Sequence, residues 1–535
     1  MKGILNTKDY QHFTINDDSY AVIATFEGAT KAKGCLPGDE VLWDGAKCTL
    51  ADHADHPMLV GTLELASRTT YGLTSRGHSI YLFIPYLRNY PPFLVGSSER
   101  DRSVHRIGII KFNTWDIIKS QFPRGALDRL LGPSGDPVAE EIALTWLAHP
   151  WPSLRQKPVD IPAECKEVDV IRKKLTGYTF NIDPKGCKDI DDVISLEHIP
   201  DTTDWRVTIT IADVACYVEE MHTVDILAST FGQTLYRDGE AICPMLPPSF
   251  SEGACSLIAG EERRGVSLSF RWRRDAPTEP VTDVHWFESL FRNDASFTYE
   301  DFERAHDLEY RAVLQEVASG LESHNSSFGI ITDSHKWIEG MMKFYNVRAG
   351  AMLREAGAGI LRRHSAPIMD RLQKYTAWDP ALGILAQSAA EYCLADDPEV
   401  AHFGLASVAY CHATSPIRRY ADLMNQRILK QLIRGNKEGL IVSISIADLN
   451  CRAKAAKKYE KNLLYLRELL SGPKEVEGRV LDLDGEKARI WIPSWQKTLN
   501  IRSADLSEGR IVRIQCAFNL LGRHWKDRII TKIVS

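Results

Sequence analysis

The stretch NIDPKGCKDIDDVIS, Asn181–Ser195, decides how the rest of the chain is read. It places four carboxylates, Asp183, Asp189, Asp191 and Asp192, within ten residues. Pro184 and Gly186 bend the backbone between them, while Ile182, Ile190, Val193 and Ile194 seek burial. Acids held against apolar neighbours repel one another and lose hydration, so they require protons or a cation. Oxygen ligands at this density suit a hard ion, Mg²⁺ or Mn²⁺. A calcium loop fails on spacing, because the third and fifth positions from Asp183 are Lys185 and Cys187, where oxygen ligands are needed. Taken alone, the stretch supports a hard-metal site or a solvated acidic turn. Phosphodiester chemistry is the reaction class that such ions serve best.

Working outward, the whole chain sets the limits. Its 535 residues, 44% hydrophobic and 25% charged, have an ordinary soluble composition and room for several domains. The net charge of −6 supplies no global basic field, so a polyanion would have to be held by locally grouped Lys and Arg. Eleven scattered cysteines without a C-x-x-C pair argue against a disulfide framework and a zinc ribbon, and for a reducing compartment. The N-terminus MKGILNTKDYQHF lacks an apolar leader segment, and no apolar run approaches ~18 residues. The expectation is a soluble intracellular protein, cytoplasmic first, with no membrane partner.

Before the acidic stretch, residues 1 to about 145 alternate short strand patterns with turn signals. Tyr20–Phe26, Glu40–Gly45, Met58–Ser67, Ser79–Pro85 and Arg106–Phe112 all have them. Two successive OB-like barrels fit this spacing. Tyr71, Tyr81, Phe83, Tyr86, Arg88 and Tyr90 are either a stacking surface for single strands or barrel core. Pro123–Leu147 reads as a turn, a Gly/Pro loop and a short helix, and Trp151–Cys165 as a linker. After the acidic stretch, Arg206–Val214 pairs with VISLE, placing Val207, Ile209 and Ile211 on one face and Arg206, Thr208 and Thr210 on the other. Asp213, at its end, either joins the acids or serves a local turn. A helix follows from Asp333 to about Ala356, and a basic helix, Asn450–Leu470, carries Arg452, Lys454, Lys457, Lys458 and Lys461. A third small barrel of short strands ends the chain from Glu475.

The second informative stretch is HFGLASVAYCHATSPIRRYADLMNQRILKQL, His402–Leu432. Thr414 or Ser415 suits an N-cap and Pro416 a first helical position. Ile417, Tyr420, Ala421, Met424, Ile428 and Leu432 then share one apolar face. That register puts Arg418 and Arg419 in the first turn, where the helix dipole disfavours cations unless an anion is present. Phosphate gripped by arginine is one explanation, and an ion pair with Asp422 or a buried partner the other.

Together, NIDPKGCKDIDDVIS and HATSPIRRYADLMNQR resemble the two signatures of the RNase II family of 3′→5′ exoribonucleases, whose catalytic unit is the RNB domain. ICPMLPPSFSEGACSL, FRNDASFTYEDF and WIEGMMKFYNVRAGAML resemble further family segments in the expected order. The wording GCKDIDD is most similar to the eukaryotic branch that includes the exosome's catalytic subunit, without the nuclease domain that precedes the barrels there. The resemblance implies an α+β RNB domain (151–472) flanked by OB barrels: two cold-shock-type (1–70 and 71–150) and one S1-like (473–535). It implies a monomer that hydrolyses single-stranded RNA to 5′-mononucleotides with Mg²⁺. Asp183, Asp189, Asp191 and Asp192 match metal-holding acids, and Asp191 matches the acid on which cleavage depends. Arg418 matches the arginine that positions the scissile phosphate. Tyr236, Tyr299, Glu339, Ser415 and Arg419 match positions that meet RNA. Three departures stand out: Ala413 replaces an aromatic, Lys457 falls where some relatives have a carboxylate, and the Tyr299–Glu339 interval is short, leaving Phe328 as the candidate second stacking aromatic.

Overall fold

The five strand patterns expected in the first 150 residues form strands, joined by five that the sequence did not mark: Lys2–Thr7, His12–Asn16, Cys48–Asp52, Phe93–Gly96 and Arg124–Pro133. A computed structural model describes residues 1–17, 21–148, 163–167, 170–276, 278–305, 309–323, 333–502 and 505–534. The expected linker Trp151–Cys165 and Phe328 fall wholly or largely outside them. The chain divides into two compact units, one of Met1–Gln156 with Ala455–Ser535, the other Lys157–Lys454.

The first unit holds three five-stranded sheets. In the N-terminal one, Val22–Glu27, His12–Asn16, Lys2–Thr7, Glu40–Trp43 and Cys48–Asp52 lie in that order and stay open. The second closes into a barrel in the order Arg124–Pro133, Phe93–Gly96, Ile80–Pro85, Leu59–Leu63, Arg106–Thr114. Its closing strand, Arg124–Pro133, is the segment expected to be a turn and loop. The strand pairs across three register shifts, and such bulges blur the two-residue alternation by which strands are recognised. Tyr81, Phe83, Tyr86 and Tyr90 are buried, so the aromatic set is barrel core and not a stacking surface, with only Tyr71 exposed. The third sheet, built from Lys474–Asp484, Lys487–Ile492, Lys497–Arg502, Ile511–Phe518 and Ile529–Ile533, packs against Tyr465 and Leu469 of the basic helix. That helix is partly spoken for, since Lys461 Nζ donates to the Thr498 carbonyl (2.8 Å).

The second unit is organised on a seven-stranded sheet. Its order is Lys173–Lys174, Val281–Arg292, Glu262–Trp272, Trp205–Ala212, Asp192–His198, Tyr178–Asp183, Ala295–Thr298. Val207, Ile209 and Ile211 join Phe180, Leu268 and Phe270 in a core covered by the helix Ser334–Ala356 through Trp337, Met341 and Tyr345. Asp333 caps that helix by accepting the His335 N–H (2.8 Å). The opposite side of the strand, read as polar, is buried too. Its hydroxyls satisfy one another, Thr208 with Ser269 (2.9 Å), Thr210 with Ser267 (2.8 Å) and Ser267 with Ser289 (2.8 Å). Among the described residues, no helix is long and apolar enough to cross a membrane.

Candidate active site

The acidic stretch folds as two strand ends and the loop between them. Asp183 ends the strand Tyr178–Asp183 and Asp192 begins its antiparallel neighbour Asp192–His198. The loop turns at Gly186, whose φ of 82° is a conformation that favours glycine. Ser256 then pins it, accepting the Ile190 N–H (3.1 Å) and donating to the Lys188 carbonyl (2.7 Å). On the other side, Ala212 N–H donates to the Asp191 carbonyl (2.8 Å). The acids therefore sit on a fixed backbone at the sheet's end.

Each carboxylate has its own surroundings. Asp183 accepts from Asn181 Nδ2 (2.9 Å). Asp189 accepts the Tyr236 hydroxyl. Asp191 is buried, takes the Ile417 N–H on Oδ1 (2.9 Å) and faces Arg418 Nε with Oδ2 (3.2 Å). Burial pushes Asp191 up to about 7 despite the Arg418 charge that opposes the shift. Burial likewise drives Asp192 well above the carboxylate range, with Asp183 and Asp191 adding repulsion, and Asp183 is raised for the same leading reason. One arginine cannot balance four carboxylates.

The second motif departs from its expected register. Ser415–Arg418 forms a turn and the helix begins only at Tyr420, running to Ile433. The cause is a strand-like contact: Tyr420 N–H donates to the Gly232 carbonyl (2.9 Å) and Thr234 N–H to the Arg418 carbonyl (2.9 Å), holding Arg419 extended. The anticipated apolar face is nonetheless correct, with Ile417, Tyr420, Ala421, Met424, Ile428 and Leu432 all buried. Arg418 projects from the turn to Asp191, not from a helical N-terminus. Arg419 pairs with Asp422, which accepts its Nε (2.9 Å) and Nη2 (2.8 Å). Asp422 also accepts the Ser415 N–H (2.8 Å), and Ser415 is buried.

The remaining candidates separate. Tyr236 lies on the short strand Leu235–Arg237 and reaches Asp189. Tyr299 follows the strand Ala295–Thr298, whose Thr298 is in register with Asp183. Its hydroxyl is held above the ordinary range by burial and by the charges of Asp192 and Asp183, and its ring stacks on His335 at 3.7 Å. Glu339 is not brought to the acids; it pairs with Lys336 (2.5 Å) and Lys343 (2.9 Å) on its own helix. Ala413 is buried, with its N–H donated to Asn346 Oδ1 (2.8 Å), so the departure from an aromatic is absorbed into packing. A cavity of about 340 Å³ opens beside Asp189, lined in part by Lys188, Thr234, Glu240, Ser251 and Glu252.

Asp213, which sequence could not separate from the acids, belongs elsewhere. It meets Arg172 Nη2 (2.7 Å) and Lys430 Nζ (2.8 Å) in a network completed by Glu167, Glu288 and Arg434. Burial alone would raise Asp213, but Lys430 and Arg172 hold it below the ordinary value. Sequence reading missed this network, along with Ser256 and Gln426, which donates to the Ala212 carbonyl (2.7 Å). Their signal was present: Ser256, Gln426 and Lys430 lie inside the informative stretches as polar residues at positions that pack inward.

The donor set suits a hard divalent ion. All its members are carboxylates, they carry excess negative charge, and burial penalises that charge. Among the described residues, the sets of three ligand atoms within 4.8 Å of one another lie elsewhere, at Asp39–His53–His56, Glu303–Asp333–His335 and Glu167–Asp213–Glu288. The motif acids are thus spread more widely.

A protein-family model for the RNB domain matches residues 172–381 and 382–435, which include both motifs. The chain carries an RNB domain. The exosome complex exonuclease RRP44 homolog A of Arabidopsis thaliana is 24% identical over 520 residues, covering 79% of this chain and 54% of that protein. This RNB chain thus spans about half the length of the relatives it matches. Mycoplasma genitalium RNase R, solved with ribose-methylated single-stranded RNA, superposes with a TM-score of 0.72 at 15% identity, covering 100% of both chains. Yeast Ssd1, described as a pseudonuclease, superposes with a TM-score of 0.69 at 17% identity, covering 98% of this chain and 81% of that one. The fold is therefore an RNB domain with flanking OB-type domains, as the resemblance implied.

Proposed function

We propose that this protein is a 3′→5′ exoribonuclease that hydrolyses single-stranded RNA processively to 5′-mononucleotides with Mg²⁺. The observation that carries the reading is the contact between the two motifs, Arg418 Nε to Asp191 Oδ2 at 3.2 Å, made where all four acids are retained. Mg²⁺ held by Asp183, Asp189 and Asp192, with Asp191 beside them, would activate water and neutralise charge developing on the phosphate. Asp191 keeps Arg418 aimed across the acidic loop, so its terminal nitrogens can fix a phosphate in line. Tyr236, which reaches Asp189, and Tyr299, which follows a strand in register with Asp183, offer rings for sequence-tolerant stacking of the 3′-terminal bases. A division near residues 70, 150 and 472 belongs to the same proposal.

The second reading is a catalytically weak or dead RNA-binding scaffold, and likeness to the pseudonuclease Ssd1 keeps it in view. A member of that kind has no need of the four acids, and here all four are kept. The test is purified protein with 5′-labelled single-stranded RNA and Mg²⁺. Shortening from the 3′ end with release of mononucleotides is expected. RNA that is bound yet left intact in both Mg²⁺ and Mn²⁺ would make the scaffold reading correct.

A further inference from the structure

The N-terminal sheet carries a group of side chains that phosphodiester hydrolysis does not use. Asp39, at the end of the turn Gly34–Asp39, is fully buried. Its Oδ2 accepts the Leu36 N–H (2.7 Å) and its Oδ1 the Ala54 N–H (3.0 Å), which fix the carboxylate in place. Two imidazoles with H-x-x-H spacing converge on it. His53 Nδ1 lies 3.2 Å from both oxygens, and His56 Nε2 lies 2.9 Å from Oδ1.

His56 is the informative member. Its side chain is 3% exposed, Nε2 is held against Asp39 Oδ1 at 2.9 Å, and the buried Nδ1 has no hydrogen-bond partner. A buried polar atom left unpaired is costly, and natural proteins avoid it unless something else satisfies it. In a tetrahedral zinc site with bonds of ~2.0–2.2 Å, ligand atoms stand roughly 3.3–3.6 Å apart. The three donors here, all within 4.8 Å of one another, need only small shifts to meet that geometry. The ring of Phe112 lies edge-on to both imidazoles, 5.0 Å from His53 and 5.1 Å from His56, and walls the group on an apolar side. His53 is partly exposed, which gives an ion a way in and leaves a position for water.

We propose that Asp39, His53 and His56 form a binding site for a divalent transition-metal ion of the Zn²⁺ class. Imidazole nitrogen selects such an ion over Mg²⁺, so this site and the acidic loop differ in the metal they take. The bound ion pins the Gly34–Asp39 turn to the loop that follows the strand Cys48–Asp52. It is a structural clamp, outside the reaction.

The test uses the full chain, stripped by chelation, with millimolar Mg²⁺ present to occupy the acidic loop. Co²⁺ titration followed by visible absorption should show one ion per chain in a low-symmetry nitrogen and oxygen field, displaced by Zn²⁺. Calorimetry should show Zn²⁺ binding weakened at least tenfold in His53→Gln and in His56→Gln. Because His53 is partly exposed, His53→Gln keeps the fold, checked by circular dichroism. Absence of Co²⁺ binding at micromolar concentrations would overturn the proposal. So would equal Zn²⁺ affinity in wild type and His53→Gln, or a loss of binding in Asp192→Asn instead, which would put the ion on the acidic loop.

Discussion

One backbone hydrogen bond, Ala212 N–H to the Asp191 carbonyl (2.8 Å), separates two groups of carboxylates with opposite electrostatics. On one side, Asp183, Asp189, Asp191 and Asp192 share a single arginine, and burial drives three of them upward. On the other, Glu167, Asp213 and Glu288 meet Arg172, Lys430 and Arg434, three cations for three acids, and Asp213 is held down. Burial acts alike on both. The difference lies in whether the protein supplies the counter-charge or leaves it to come from outside. A balanced network ties the sheet to the helix Tyr420–Ile433, and an unbalanced one is poised for a cation and a phosphate.

The largest expected effect breaks the unbalanced side. Asp191→Asn should lower the hydrolysis rate by roughly 10³-fold or more, about 4 kcal/mol, while leaving the melting temperature near that of wild type. A rate assay and a thermal melt on the same preparation check both halves. The mirror experiment is Asp213→Asn, which strands Lys430 and Arg172 without their shared partner. It should cost about 3–5 kcal/mol of stability by denaturant unfolding at pH 7. Because the folded Asp213 pKa lies below its unfolded value, that stabilisation is full above the unfolded value of about 4. It is lost as pH falls further, so wild type and variant should converge in stability on acidification. Arg418→Lys should reduce the rate by roughly 10²-fold, since a point charge does not reproduce the planar fork. Smallest is Tyr236→Ala, expected to weaken binding of an RNA 3′ end by about 1–3 kcal/mol in a competition assay.

Much of this contrast was legible in the sequence, though unevenly. The acids, Arg418 and the apolar face of the second motif's helix are local patterns, and local patterns survive folding. Asp213 was not legible, because its partners Arg172, Lys430 and Arg434 are distant in sequence and come together only in the sheet-and-helix packing. The fate of Arg419 was open between phosphate and Asp422, and a pairing with Gly232–Thr234 invisible to periodicity moved the helix start to Tyr420. Tyr81 and Phe83 carry the chemistry of a stacking surface, but the closing strand Arg124–Pro133 seals them into a core. That strand escaped notice because bulges interrupt its alternation.

The central claim is that the acidic loop, and not the balanced network beside it, takes up the hydrolytic metal. Mn²⁺ binding followed by electron paramagnetic resonance on the full chain tests it most directly, with Asp192→Asn and Glu167→Gln as the two probes. The expected result is Mn²⁺ binding to wild type that is lost or weakened at least tenfold in Asp192→Asn and unchanged in Glu167→Gln. Equal binding by wild type and Asp192→Asn, or a loss confined to Glu167→Gln, would contradict it.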